Sequence, residues 1–313
     1  MVHIYILVNL YQQGGITPEN TLDKIFENLS KKIKKIGIEE NDLSVAEYKK
    51  IRKHFKTVNL KELSNLRTIK GEDEILKIEK ACKLGDEAFD FILKKLKLGV
   101  SEKQIAFELE FFIKRNGADI SFPPIVAFGK NSSIPHHQTS DKRLKTKSIV
   151  LLDFGVKLGN YCSDMTRTIF FGKADDKFKK IYNTVLASQQ KAIESLKSSM
   201  VNGQWSIDAR NADSSEVDSI RASDIDLVTR NHIVKQGYPT IPHSLGHGIG
   251  IEVHEPPYLS PTSKVGLKPG MVFSIEPGIY IPNFGGVRIE DLVLIRENKL
   301  EILTYSPKHL IEI

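Results

Sequence analysis

The sequence predicts an α/β chain in which a small α/β unit, residues 1–70, precedes a larger pseudo-symmetric α/β domain, residues 71–313. Three observations predict it. From residue 72 onward, long helical patterns alternate with short apolar runs of strand length. The order of two helices followed by a hairpin carrying two carboxylates occurs twice, over residues 72–171 and 175–296. The pattern also changes near Lys70-Gly71, and 313 residues are enough for one large core with a smaller partner.

In the first unit, residues 4–10 read as a strand, 18–36 as an amphipathic helix, and 49–61 as a short helix or strand. Residues 72–97 then form a long helical pattern, with Ile75, Ile78, Ala81, Cys82, Gly85 and Phe89 on one face. Gly99-Val100-Ser101 interrupts it. Ser101 is placed to cap a second helix that runs through Lys114 and stops at Asn116-Gly117. Residues 124–128, 149–156 and 161–171 read as strands. Helices follow over 175–197 and 222–237, and strands over 272–280 and 287–296 around a Gly-containing turn at 283–286.

Composition narrows the function classes. The net charge of +6 comes from lysines spread over helical stretches, without the interleaved aromatics of a base-stacking platform, so no nucleic-acid role is expected. The two cysteines, Cys82 and Cys162, show no pairing logic, which points to a reducing compartment. The apolar opening, residues 2–10, is too short to span a bilayer and lacks the basic flank and cleavage site of a signal peptide. A cytoplasmic protein without a membrane role is expected.

The chemistry concentrates in two hairpins and one glycine-rich segment. Asp153 and Asp164 flank a turn. If the turn is Leu158-Gly159, the two aspartates sit directly opposite; if it is Gly159-Asn160, they become diagonal neighbours. Glu276 and Glu290 repeat the arrangement about Asn283. Like charges so placed amid apolar residues need neutralising, and a metal ion would do that. Between the hairpins, His243, His247 and His254 fall within twelve residues, among glycines that would let backbone approach a ligand. His136 and His137 follow Pro135 upstream.

At these residues the chain resembles the pita-bread metallopeptidases, the family of aminopeptidase P, prolidase and methionine aminopeptidase. The matching stretches are IPHH (134–137), LLDFGVKLGNYCSDMTRT (151–168), PHSLGHGIGIEVHEPP (242–257), GMVFSIEPGIYIP (270–282) and GGVRIEDLVL (285–294). The resemblance runs from about residue 71 to the C-terminus. It implies a pita-bread fold with a pseudo-twofold repeat, and Asp153, Asp164, His247, Glu276 and Glu290 as ligands of two divalent ions, with Asp164 and Glu290 bridging. Four carboxylates and one imidazole suit Mn²⁺ first, with Co, Zn or Fe as alternatives. The ions would acidify a shared water. Glu276 would carry its proton, His136 would position substrate and shuttle protons, and His254 would support the tetrahedral intermediate. His243 is implied as an outer residue facing the proline side, and Arg288 either in the substrate pocket or behind the residues that line it.

The run Ser163–Thr168 and Arg288 look like aminopeptidase P and prolidase. The expected activity is therefore Xaa-Pro aminopeptidase, acting on peptides with proline in second position. Xaa-Pro dipeptidase is the alternative, and a non-catalytic pita-bread peptide-binding protein is the rival from another class. All five ligand positions are filled, which disfavours that rival and a metal-independent hydrolase of the creatine type. Two departures stand out. Residues 1–70 look like only the last part of the family's N-terminal domain, which bears on length selectivity and on a homodimer. Residues 202–221, with the single tryptophan Trp205, look like a loop insertion between two helices.

Overall fold

A computed structural model of the chain describes residues 21–38, 43–59, 66–201, 220–297 and 299–313. The strand expected over 4–10, and residues 202–219 of the expected insertion with Trp205, lie outside them. The chain divides into two compact units after Leu66. In the first, α1 (Leu22–Ser30) starts at the capping residue Thr21, and α2 (Val45–His54) starts at a reciprocal Ser44–Glu47 box. Strands β1 (Lys35–Ile38) and β2 (Lys56–Asn59) pair in parallel, Lys35 opposite Lys56. This pairing corrects two expectations. The helix over 18–36 stops at Ser30 because Lys35 and Ile36 join the ladder, and the segment 49–61 divides between the end of α2 and β2.

In the second unit, α3 (Glu72–Leu93) buries all six of the residues its spacing aligned, and ends four residues before Lys97. Ser101 caps α4 (Glu102–Arg115), accepting from Gln104 N at 3.1 Å while the Gln104 side chain accepts from Ser101 N at 2.8 Å. After the two-residue β3 (Asp119–Ile120), an antiparallel sheet forms from β4 (Ile125–Phe128), β5 (Ser148–Phe154) and β8 (Met165–Phe171). Short strands β6 (Val156–Leu158) and β7 (Tyr161–Cys162) pair with each other to extend the hairpin tip, and β6 also pairs with β3. Phe89, Ile92, Ile105 and Leu109 from the helices pack against Val150, Leu152 and Phe154 of the sheet.

The second half repeats this order. Helices α5 (Asp176–Val201) and α6 (Ala222–Lys235) precede β9 (Gly246–Gly248), β10 (Glu255–Leu259), β11 (Val272–Ile275), β12 (Gly278–Ile281), β13 (Gly285–Arg288), β14 (Asp291–Ile295) and β15 (Leu300–Ile302). Five of the strands make a sheet in the order β10-β9-β11-β14-β15. Phe178, Val185, Ile225 and Ile233 pack on Phe273, Ile275, Ile289 and Val293. The halves meet at β8, where Glu290 N donates to Thr166 O at 3.1 Å and Thr168 Oγ1 donates to Arg288 O at 2.9 Å.

The strands expected over 272–280 and 287–296 are each broken in two. Pro277 has no N–H to continue the ladder, and Glu276 N turns instead to Leu245 O at 2.9 Å. The register survives the break: Ile275 faces Asp291 before it and Gly278 faces Arg288 after it.

One ion pair joins the start of this unit to its far side. Lys70 Nζ lies 2.6 Å from Glu255 Oε1, with both side chains buried, and Glu255 Oε2 has no partner among the described residues. Cutting such a pair leaves a buried charge uncompensated. Lys70→Ala is therefore expected to lower the unfolding free energy by about 3–5 kcal/mol. Urea titration checks this, and Lys70→Met combined with Glu255→Leu should recover most of the loss. A cost below about 1 kcal/mol would mean that water already reaches the pair.

Candidate active site

Both carboxylate pairs lie where their hairpins break. In the first hairpin Asp153 faces Thr166, and Lys157 faces Cys162 beyond the break. The turn is Gly159-Asn160, both in the left-handed region (φ 57° and 68°), as a two-residue turn matching strand twist requires. Asp153 and Asp164 are thus diagonal neighbours. Gly155 permits the break, since a Cβ there would meet Ser163 O at 2.0 Å. In the second hairpin the registers on either side set Glu276 opposite Glu290.

His247 is carried by β9, squeezed between β10 and β11. Its glycine neighbours serve protein backbone and not ligand: a Cβ on Gly246 would meet Ser274 O at 1.9 Å, and one on Gly248 would meet Pro256 O at 2.2 Å. The His247 ring lies within hydrogen-bond distance of Gly248 O through Nδ1 (3.1 Å), which fixes the proton there and leaves Nε2 bare. That nitrogen faces Glu276 Oε1 at 3.4 Å and Asp164 Oδ2 at 3.7 Å.

These residues line one cavity of about 390 Å³. Asp153, Asp164, His136, His243, His247, His254, Glu276, Arg288 and Glu290, the nine residues singled out in the sequence, all lie on its wall, beside the apolar Phe122, Ile125 and Val253. One ligand atom each from Asp164, His247 and Glu290 falls within 4.8 Å of the others. Buried oxygens Asp164 Oδ1 and Glu290 Oε1 have no hydrogen-bond partner among the described residues. Oxygens in that state call for a cation, and the four-carboxylate, one-imidazole set fits divalent metal.

The electrostatics agree. Burial and the neighbouring carboxylates push Asp164 and Glu276 well above the usual carboxylate range, and Glu290 up to about 7. Burial raises Asp153 as well, against the pull of Arg288. Burial drives His247 and His243 down to about 4, so both rings are neutral at pH 7.

The outer residues divide. Arg288 is held at each nitrogen by protein: Nε by Thr166 Oγ1 (3.0 Å), Nη1 by Tyr280 OH (3.0 Å) and Pro135 O (3.3 Å), Nη2 by Asp153 Oδ2 (2.5 Å). It orients Asp153 more than it reaches into the cavity. His243 donates from Nδ1 to Ser244 O (2.7 Å), so Nε2 accepts from Tyr280 OH (2.9 Å) and only ring carbons face a substrate. His136 and His254 are exposed to the cavity, whereas His137 turns away to Glu102 (2.9 Å).

Sequence reasoning passed over three supporting groups. Tyr280 links His243 to Arg288, Thr166 Oγ1 donates to Glu290 Oε2 (2.7 Å), and Ser274 Oγ donates to Glu276 Oε1 (3.1 Å). Each lies inside a matching motif; for Thr166 and Ser274, the position two residues from Asp164 and Glu276 was the available signal.

A family model described as metallopeptidase family M24 matches residues 76–297. The Xaa-Pro dipeptidase of Pyrococcus horikoshii is 40% identical over 288 residues, which cover 89% of this chain and 75% of that protein. The solved structure of an Xaa-Pro dipeptidase from Bacillus anthracis superposes with a TM-score of 0.82 at 37% identity, over 92% of this chain and 79% of the other. That of an X-Pro aminopeptidase from Thermotoga maritima gives 0.81 at 32% identity, over 95% and 81%.

Proposed function

This chain belongs to metallopeptidase family M24, and we propose that it is a dinuclear metal-dependent exopeptidase that cleaves between an N-terminal residue and a following proline. Membership makes it a metal-dependent peptidase with the pita-bread fold. The observation that carries the reading is the convergence of Asp153, Asp164, His247, Glu276 and Glu290 on one cavity, with two of their buried oxygens unpartnered among the described residues. Two divalent ions held by these five residues, manganese by preference, would supply Lewis acidity and an acidified water.

The chain's own groups supply the rest. Glu276 accepts from Ser274 at Oε1, leaving Oε2 to take the proton of the attacking water. The same carboxyl would return that proton to the proline nitrogen that leaves. His254, with its ring 4.1 Å from that of His247, stands ready to donate to the carbonyl oxygen as charge develops there. His136 stands on the same wall to orient the peptide. Phe122, Ile125 and Val253 give apolar surface for side chains.

Dipeptides are the first reading for substrate length, because two of the three similar proteins described above carry the name Xaa-Pro dipeptidase. The expectation of an aminopeptidase P thereby takes second place, supported by the Thermotoga structure. Among the described residues no helix is long and apolar enough to cross a membrane, and the two free cysteines support our placing the protein in the cytoplasm. Matched Xaa-Pro and Xaa-Pro-Yaa peptides offered to the Mn²⁺-loaded protein test the reading. Cleavage of the dipeptide alone makes it a prolidase, and cleavage of the longer peptide makes it an aminopeptidase P. No turnover of either with metal bound would sink the Xaa-Pro assignment.

A further inference from the structure

Glu102 opens α4, does not line the cavity, and is fully buried. A carboxylate in that position must collect donors. It is within hydrogen-bond distance of five: Phe128 N (2.7 Å) and Asn131 Nδ2 (2.8 Å) at Oε1, and His137 Nε2 (2.9 Å), Ser140 N (3.0 Å) and Ser140 Oγ (2.5 Å) at Oε2. None belongs to α4. They come from two stretches of one loop, 128–131 and 137–140, and between them lie Pro135 and His136.

The opposite side of that loop is tied to the second half of the fold. Gly286 N donates to Ser132 Oγ at 2.8 Å, and Arg288 Nη1 donates to Pro135 O at 3.3 Å. The imidazole of His136 takes no hydrogen bond from the described residues, so its place in the cavity depends on the backbone beneath it. That backbone is fastened by Glu102 on one side and by β13 on the other.

We propose that Glu102 is a positioning residue for His136, its carboxylate holding the 128–140 loop so that the imidazole stands over the substrate. This rests on the reading of His136 as a substrate-orienting group. The charge matters as well as the shape. Hydrogen bonds to an ionised acceptor are worth about twice neutral ones. In Glu102→Gln, an amide NH₂ would have to face Ser140 N or Phe128 N, each of which can only donate. The loop must then shift, and a displacement of about 1 Å at an orienting group costs about 10²-fold in rate.

A double-mutant cycle in the Mn²⁺-loaded protein tests this. kcat/KM for a good Xaa-Pro substrate is measured for Glu102→Gln, His136→Ala and the pair, alongside metal content and thermal unfolding. Each single variant is expected to lose about 10- to 100-fold, and the pair to lose no more than His136→Ala alone. A role in stability alone would lower Tm without coupling the two sites. Losses that multiply overturn the proposal while leaving the role of His136 intact. A His136→Ala enzyme with unchanged kcat/KM overturns that role instead, and the proposal with it. Should Glu102→Gln fail to fold, Ser140→Ala, which removes a single donor, goes through the same cycle with the same criterion.

Discussion

Glu290→Gln is expected to abolish metal-dependent hydrolysis, by about 10³-fold or more, while making the metal-free protein harder to unfold. Losing a residue that merely supports a metal ligand typically costs 10- to 100-fold, and losing one of the proposed ligands itself should cost more. The opposite sign for stability follows from the geometry. Glu290 Oε1 is buried without a partner among the described residues, and burial with nearby Asp153 pushes its carboxyl up to about 7. Above that pH the metal-free protein carries an unneutralised carboxylate among others. Glutamine keeps the volume and can still accept from Thr166 Oγ1, but removes the charge. Thermal unfolding with EDTA and with Mn²⁺, together with metal per chain, separates the effects. The variant should unfold higher than the parent in EDTA at pH 8 and gain far less from the metal. A variant that keeps both its metal and its activity would remove Glu290 from the ligand set.

That reversal shows why the hairpins were the legible part of this chain. A strand pattern contains its own registry: once Gly159-Asn160 is the turn, the facing residues follow by counting, and the same holds about Asn283. Helices α3 and α4 were legible through periodicity and the Ser101 cap. The break at Gly155 was hidden because the apolar run 149–156 continues across it, whereas Pro277-Gly278 was a readable breaker that the strand expected over 272–280 ran through. What breaks the ladder there is close approach of Ser163 O in one case and a missing N–H in the other. The least legible contacts join residues that no local pattern relates. Lys70 finds Glu255 across 185 residues and Glu102 finds Ser140 across 38, and neither pairing follows from a local period. Tyr280 was hidden differently. Its motif was noticed, but nothing in a lone tyrosine says that its hydroxyl will bridge an arginine and a histidine.

The metal-free protein is expected to lose stability as pH rises from about 6.5 to 8, and metal to abolish that loss. Two sets of groups with opposite signs fix the window. A carboxyl raised in the folded state holds a proton that the unfolded chain would release. Its contribution is complete below the unfolded value, near 4.5 for glutamate, and disappears as pH passes the folded value, about 7 for Glu290. Asp164 and Glu276 are raised well above their ordinary values in the same direction. For Glu290 the full swing is on the order of 3 kcal/mol. His243 and His247 work the other way. Lowered to about 4 from 6.5, they make stability rise with pH, but only up to their unfolded value. Below pH 6.5 the two sets offset one another, and above it these rings no longer oppose the carboxyls. A divalent ion takes the place of the protons they would hold, so its binding releases protons and tightens as pH rises. Thermal unfolding at half-unit steps from pH 5.5 to 8.5, with EDTA or with Mn²⁺, should show two curves that diverge above pH 6.5. Parallel curves would mean that the buried acids are neutralised by something other than the metal.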